Sequence, residues 1–194
     1  MGYAVQPARS AAVAERVPLR RAPDGQVWNF PDEGYVHPQL LLNRLWSEAR
    51  EHGTRLVAPC EVVGIDEHYA HVVLQLSDGG RWRCDAVVSA TGRWSARTMS
   101  LLGLDLAMID AERPGRVGCG FLAETTPTTI GNMPVLITPN LNLRLASSGG
   151  LLLQAPDLDD GADPNAPEAV DGRIAHEMGS RMRALLAGTE TMRI

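Results

Sequence analysis

The chain has 194 residues, 44% of them hydrophobic, 21% charged and 5% aromatic, a balance that suits one or two globular domains and excludes disordered or collagen-like chains. A formal net charge of -5 and a pI near 5.5 give no basic footprint for phosphates, so nucleic acid is not an expected partner. All 18 basic residues are arginine, which excludes the chemistry of a P-loop lysine, a pyridoxal Schiff base or a Ser–Lys dyad.

Residues 1–30 mix Ala, Arg and Pro, with a short helix expected over Arg9–Arg16 and a break at Pro23–Gly25. The apolar patch Ala11–Ala14 is too brief for the core of a signal peptide. Leu40–Leu42 and Leu151–Leu153 are each cut short by polar neighbours, far below the roughly 18–20 apolar residues of a membrane span. No membrane association and a cytoplasmic location are therefore expected. Cys60, Cys84 and Cys119 are odd in number and form no C-x-x-C, which fits reduced thiols better than a disulfide framework or a zinc site.

From Pro38 the apolar spacing predicts a helix over Pro38–His52, with Leu41, Leu45, Trp46 and Ala49 on a core-facing stripe and Gly53 as its stop. Three β-like runs follow, Arg55–Ile65, His71–Leu76 and Arg81–Cys84, divided by polar turns at Asp66–Tyr69 and Ser77–Gly80. They predict an antiparallel meander. Asp85–Gly92 then reads as a short strand ending at the glycine, with Arg93, Trp94 and Ser95 behind it.

A domain border is expected at Leu104–Arg116, where Asp, Glu, Arg, Pro and Gly gather. Beyond it, strands are predicted at Arg116–Glu124, Pro134–Thr138, Asn142–Ala146 and Gly150–Gln154, forming a second antiparallel sheet. The acidic loop Asp157–Pro167 leads to a helix over Pro167–Ala187, with Val170, Ile174, Met178, Met182 and Leu185 on one stripe. Asn165 and Glu168 resemble a capping box at its start, Gly188 is its stop, and Thr191–Ile194 begins to read as a strand.

The order of these segments, with Gly34-Tyr-Val-His-Pro38, Glu61-Val-Val-Gly-Ile65 and above all Val87-Val-Ser-Ala-Thr-Gly-Arg-Trp-Ser95, resembles the FAD-dependent oxidoreductases of the D-amino-acid oxidase and glycine oxidase family. The resemblance covers residues 26–194. It implies an α+β chain that is part of an α/β FAD-binding fold: a helix, meander and strand of the FAD domain, then an antiparallel substrate-domain sheet with a helix. The implied divisions are 1–35 on the substrate-domain side, 36–102 in a partial FAD-binding domain and 103–194 in a partial substrate domain.

FAD is the implied cofactor, with Val62 facing the adenine, Ala90, Thr91 and Gly92 beside the nucleotide, and Trp94 with Ser95 matching the family's W-S. A glycine at position 92 lets a backbone turn approach a ligand, or it merely ends a strand. The implied reaction moves hydride from a C–N or C–O bond of a small amino acid, amine or hydroxy acid to the flavin. The family's glycine-rich βαβ unit and its later arginine-bearing segment have no counterpart here, so the chain reads as the middle portion of a longer flavoenzyme. It is expected to be colourless and inactive alone. The rival expectation is a non-catalytic fragment or accessory subunit that self-associates, or binds a partner chain, through the surface left by the missing unit.

Arg144 alternates with leucines in Asn142–Leu145, so it faces either solvent or, in a substrate domain, the substrate itself. His68 and His71 flank a hairpin turn where side chains are solvated, and no metal site is assigned to them. Asp157, Asp159, Asp163 and Glu168 have partial EF-hand spacing, but Ala162 stands where the loop needs glycine. His37 before Pro38 sits where it could reach a ligand or cap a loop, and it reads better as a surface loop residue.

Overall fold

A computed structural model describes residues 4–110, 112–166 and 172–194. In chain order the elements are β1 (Gln6–Ala8), α1 (Ser10–Ala14), β2 (Val27–Asn29), α2 (Pro38–Glu51), β3 (Val62–His68), β4 (His71–Leu76), β5 (Arg81–Cys84), a 3-10 turn at Gly92–Trp94, and α3 (Ser95–Ser100). There follow β6 (Ala123–Glu124), β7 (Leu136–Ile137), β8 (Asn142–Leu145), β9 (Leu151–Gln154), a second 3-10 turn at Asp159–Gly161, and α4 (Gly172–Leu185). The chain divides into two compact units: Met1–Trp46 with Pro114–Ile194, and Ser47–Arg113. Below they are unit 1 and unit 2.

Unit 1 is built on a four-stranded antiparallel sheet in the order β6-β9-β8-β7. Alternation along β8 and β9 sends Leu143, Leu151 and Leu153 to one face, where they pack with Met178 and Met182 of the predicted α4 stripe and with Leu186 just past the helix end. Ile174 and Leu185 pack on the margin of that core. The expected helix start at Pro167, Glu168 and Val170 lies outside the described residues. Gly188, at φ +76, ends the helix as its sequence position suggests.

Residues 13–19 close this core. Val17 is buried in it, Leu19 bridges Leu186, and the Ala187 amide donates to the Pro18 carbonyl at 2.8 Å. β1 and β2 pair antiparallel, Gln6 opposite Asn29. Of the predicted strand Arg116–Glu124 only Ala123–Glu124 forms, because residues 115–119 are already coiled into a turn, with the Cys119 amide bonded to the Gly115 carbonyl. Thr191–Ile194 is not assigned as a strand, yet the Thr126 amide donates to the Arg193 carbonyl at 2.8 Å and the Arg193 amide returns a bond to Thr126 Oγ1.

In unit 2 the predicted meander is present as the sheet β3-β4-β5. It is tightest at its turns: His68 pairs with His71, and Asp78 accepts the Gly80 amide at 2.8 Å while Gly79 adopts φ +84. The first strand is shorter than Arg55–Ile65 and begins at Val62, past Pro59, which has no amide to lend a ladder. A bulge between Val62 and Gly64 bends it where a Cβ on Gly64 would meet the Gln75 side chain at 2.9 Å.

Two expectations fail here. Asp85–Thr91 forms no strand, since no strand of the described residues runs beside it and an apolar run without a ladder partner has nothing to pair with. Val88 is accordingly 89% exposed. The helix α2 forms and ends in a glycine cap, with Gly53 at φ +87 and the Thr54 amide on the Ala49 carbonyl, but its stripe is not core: none of its residues is buried. Trp46 is half-buried, and Leu41 and Leu45 are exposed, because among the described residues nothing covers that face.

Candidate functional site

Unit 2 contains a cleft of about 1150 Å³, somewhat larger than usual small-molecule sites. Its wall is assembled from separate parts of the sequence: Val62 at the start of β3, Ala90 and Thr91 from the irregular segment after β5, and Gly92 and Trp94 from the 3-10 turn before α3. All five residues expected beside a dinucleotide therefore meet at one cavity. Around them the lining is mostly aliphatic, with Val63, Val87, Met99 and Leu102 contributing.

The polar part of this wall comprises the charged Glu61, Glu67 and Arg97 and the hydroxyls of Ser89, Thr91 and Thr98, which join a chain of hydroxyls that includes Ser95 behind it. Thr91 Oγ1 lies 3.2 Å from Ser89 Oγ, accepts from Thr98 Oγ1 at 3.1 Å and donates to Ser95 Oγ at 3.3 Å, while Ser95 donates to the Gly92 carbonyl at 2.7 Å. These bonds fix the turn at Gly92. The glycine has φ +55, and a Cβ placed there meets nothing within 4 Å, so backbone conformation rather than crowding demands it. On the same wall Glu61 forms an ion pair with Arg97 at 2.8 Å.

Arg93, between two lining residues, is the feature sequence reading passed over. Its Cζ lies 5.5 Å from the centre of the Trp94 ring, and its Nε and Nη2 are shielded from solvent with no hydrogen-bond partner. The cavity itself combines aliphatic walls and hydroxyls with the charged Glu61, Glu67 and Arg97, a lining that fits a ligand with a flat apolar part and polar groups, as a flavin dinucleotide has.

In unit 1, Arg144 lies on the face of β8 opposite Leu143, with its Cζ 5.1 Å from the Tyr35 ring and Nη1 donating to the Leu145 carbonyl at 3.2 Å. Asn142, two residues earlier on the same face, has a buried Oδ1 without a partner. The alternation that singles out Arg144 could have singled out Asn142 as well. Tyr35 also meets His37 edge to face at 5.3 Å, while the His37 carbonyl accepts the Leu41 amide at the start of α2.

The remaining polar clusters sit beside turns and loops. His68 and His71 stack at 4.6 Å, and His71 is held below the usual imidazole value by desolvation, then by Arg83 and His68. No group of three or more His, Cys, Asp or Glu side chains that could hold a metal occurs among the described residues. Asp159 is buried and accepts the Phe121 amide at 2.8 Å, Asp163 accepts the Asn165 amide at 2.9 Å, and Asp157 pairs with Arg181; Glu168 lies outside the described residues. The three cysteines are unpaired, and no helix among the described residues is long and apolar enough to cross a membrane.

Comparison with known proteins places these features in context. The sequence matches the DAO family, FAD dependent oxidoreductase, over residues 2–193. Among solved structures the chain is similar to a glycine oxidase from Geobacillus kaustophilus, with TM-score 0.72, 21% identity, and coverage of 99% of this chain and 49% of that one. It is also similar to NikD in its open form, an unusual amino acid oxidase essential for nikkomycin biosynthesis, with TM-score 0.65, 16% identity, and coverage of 95% and 49%. The chain thus spans about half the length of these structural relatives. No curated protein sequence gives a significant match.

Proposed function

The chain belongs to the family of FAD-dependent oxidoreductases, and from that membership we propose that it is part of a flavoenzyme that oxidises an amino acid, amine or hydroxy acid by hydride transfer to FAD. The observation that carries this reading is the convergence of Val62, Ala90, Thr91, Gly92 and Trp94 on one cleft of unit 2. In it, Val62 meets the adenine, Ala90–Gly92 lie along the nucleotide and Trp94 closes the wall. Arg144, steadied by Tyr35, takes the carboxylate of an anionic substrate. Bound flavin would supply the acceptor for the hydride leaving the C–H bond beside the substrate nitrogen or oxygen, where a C=N or C=O bond forms as the heteroatom gives up its proton, and the share of this chain is to bind and orient. No catalytic acid or base is assigned to it. A cytoplasmic setting accords with the unpaired cysteines.

The contacts at Val62 and Ala90–Gly92 are mostly neutral backbone approaches, each contributing about 0.5–1.5 kcal/mol net. Together they supply only a few kcal/mol, which corresponds to a Kd nearer millimolar than micromolar. The 194-residue chain alone is therefore colourless after purification and inactive. The test is to add FAD, up to about 5 mM, to the ¹⁵N-labelled chain and follow the backbone amides. Saturable shifts confined to Val62 and Ala90–Trp94 are expected. Their absence, or shifts elsewhere only, would remove the cofactor assignment.

A second reading, a non-catalytic accessory chain, is favoured by α2 alone, where Leu40, Leu41, Leu42 and Leu45 are all exposed. It predicts self-association or capture of a partner chain through that helix. Sedimentation of the wild type against a Leu41→Glu/Leu45→Glu variant checks it, and a monomer in both cases excludes self-association through α2.

A further inference from the structure

The meander of unit 2 gathers cationic side chains on the side away from the cleft. Side chains alternate along a strand, so Ile65 and Glu67 of β3 line the cleft with Val72, while Asp66 and His68 point to the other side. The register sets His71 of β4 opposite His68, and Arg83 of β5 opposite Val73, two places from His71. Both imidazoles and the guanidinium therefore share that second face. The imidazole rings stack at 4.6 Å with 17° between their planes.

No carboxylate neutralises this group. Asp66, on the same face, already accepts from Gln75 Nε2 at 2.9 Å and pairs with Arg81 at 3.4 Å. Asp85, one place past β5, and Arg83 form no ion pair or hydrogen bond among the described residues. The result is a positive field: desolvation first, then Arg83 and His68, hold His71 below the usual imidazole value. That field repels a metal cation, and no third ligand completes a metal group here among the described residues. An oxyanion meets the opposite situation, since protonated imidazoles present N–H donors on both nitrogens and an arginine fork matches its oxygens.

We propose that His68, His71 and Arg83 form a binding site for a doubly charged oxyanion, a phosphate group, filled as the imidazoles take up protons. Two protonated rings stacked beside a guanidinium repel one another, and a dianion set among them removes the repulsion. The sign follows. An anion that binds the protonated form raises the midpoint of the imidazole titration, and its affinity grows as pH falls through that midpoint. The face is separate from the cleft lining, so this site stands or falls independently of the cofactor reading.

The test is titration of the 194-residue chain with sulfate, a dianion throughout the range of about pH 5–8, followed through the carbon-bound imidazole protons. Sodium chloride at matched ionic strength is the control for screening. Sulfate is expected to raise the His71 midpoint by about one pH unit, which equals a roughly tenfold tighter grip on the protonated form. Chloride at His71, and sulfate at His176 on α4, produce much smaller shifts. Arg83→Gln raises the His71 midpoint without any anion, because a repelling charge is gone, and abolishes the sulfate effect. Arg83→Lys, which keeps the charge without the fork, retains part of it. Inorganic phosphate and phosphoserine separate the sources of the group: equal affinities support recognition of the phosphate itself, and tighter phosphoserine names an esterified ligand. Equal shifts with sulfate and chloride, a sulfate affinity that does not change with pH, or a sulfate effect undiminished in Arg83→Gln would each overturn the proposal.

Discussion

Arg181 closes a fork on Asp157, with Nη1 2.6 Å from Oδ1 and Nη2 2.8 Å from Oδ2. The same guanidinium reaches Glu177 one turn back along α4 and donates to the Asn140 carbonyl at 2.8 Å. One side chain thus ties the helix to the loop before β8 and to the loop after β9. The bonds from Arg181 hold the Asp157 carboxyl below its usual value.

Asp157→Asn is expected to lower stability at neutral pH by about 0.5–1 kcal/mol, the upper range for a half-exposed pair in good geometry. A carboxyl whose value is depressed by folding contributes fully above its unfolded value, and the contribution is lost as pH falls through the depressed one. Urea unfolding of wild type and variant checks both statements: the gap is present at pH 7 and closes in acid below the ordinary carboxylate range. A gap that persists there would show that the pair is not what stabilises the loop.

Gly150→Ala should destabilise unit 1 by about 2–3 kcal/mol, because a Cβ there falls 2.2 Å from the Thr125 carbonyl oxygen, which is backbone and cannot swing aside. Thr125 and Leu151 exchange hydrogen bonds beside it, at 3.0 Å through their backbones and 2.9 Å to Thr125 Oγ1. Gly131→Ala serves as the control, since nothing lies within 4 Å of a Cβ at that position. Equal urea midpoints for the two variants would contradict the close approach.

Met178→Ala removes a side chain that is wholly buried against the sheet, and a loss of about 2–5 kcal/mol is expected. The removal acts on the core shared by α4, β8 and β9, so the near-UV signal and the urea midpoint should fall together. A midpoint within experimental error of the wild type would mean that α4 does not form this core.

Substitutions at Gly92 separate conformation from crowding. With φ +55 and open space around it, Gly92→Ala is expected to cost roughly 1–2 kcal/mol through backbone strain, and Gly92→Asn less, because asparagine tolerates the left-handed region. Gly92→Val should in addition weaken the FAD-dependent shifts at Ala90–Trp94, by distorting the turn. If Ala, Asn and Val were equivalent in both thermal midpoint and FAD titration, the turn would have no bearing on the cleft.

Much of this is legible in the residue order, and the exceptions share a cause. The α4 stripe could be read because Ile174, Met178 and Met182 recur at helical spacing against one core. The meander could be read because its turns carry Asp78 and Gly79 where the backbone needs them. Asp85–Thr91 and the α2 stripe were misread because apolar spacing reports what a segment is suited to bury, whereas burial also needs a neighbour. The pairing of Gln6–Ala8 with Val27–Asn29 was invisible because three residues carry no period. At the cleft, Val62 and Ala90–Trp94 came from family resemblance. Arg93 lay in the same quoted stretch, but a missing hydrogen-bond partner has no sequence signature.

The bridge between Leu19 and Leu186 joins segments that come before and after unit 2 in the sequence, so unit 1 is discontinuous in chain order. On the ribosome this imposes an order. The meander consists of near-neighbour pairings and can form as soon as residue 84 has left the exit tunnel. Val17 must wait for Met178 and Leu186 to be synthesised before it has a core to enter. During that interval Val17 and Leu19 have no core to enter, and chaperone occupancy on nascent chains should fall once Leu186 emerges.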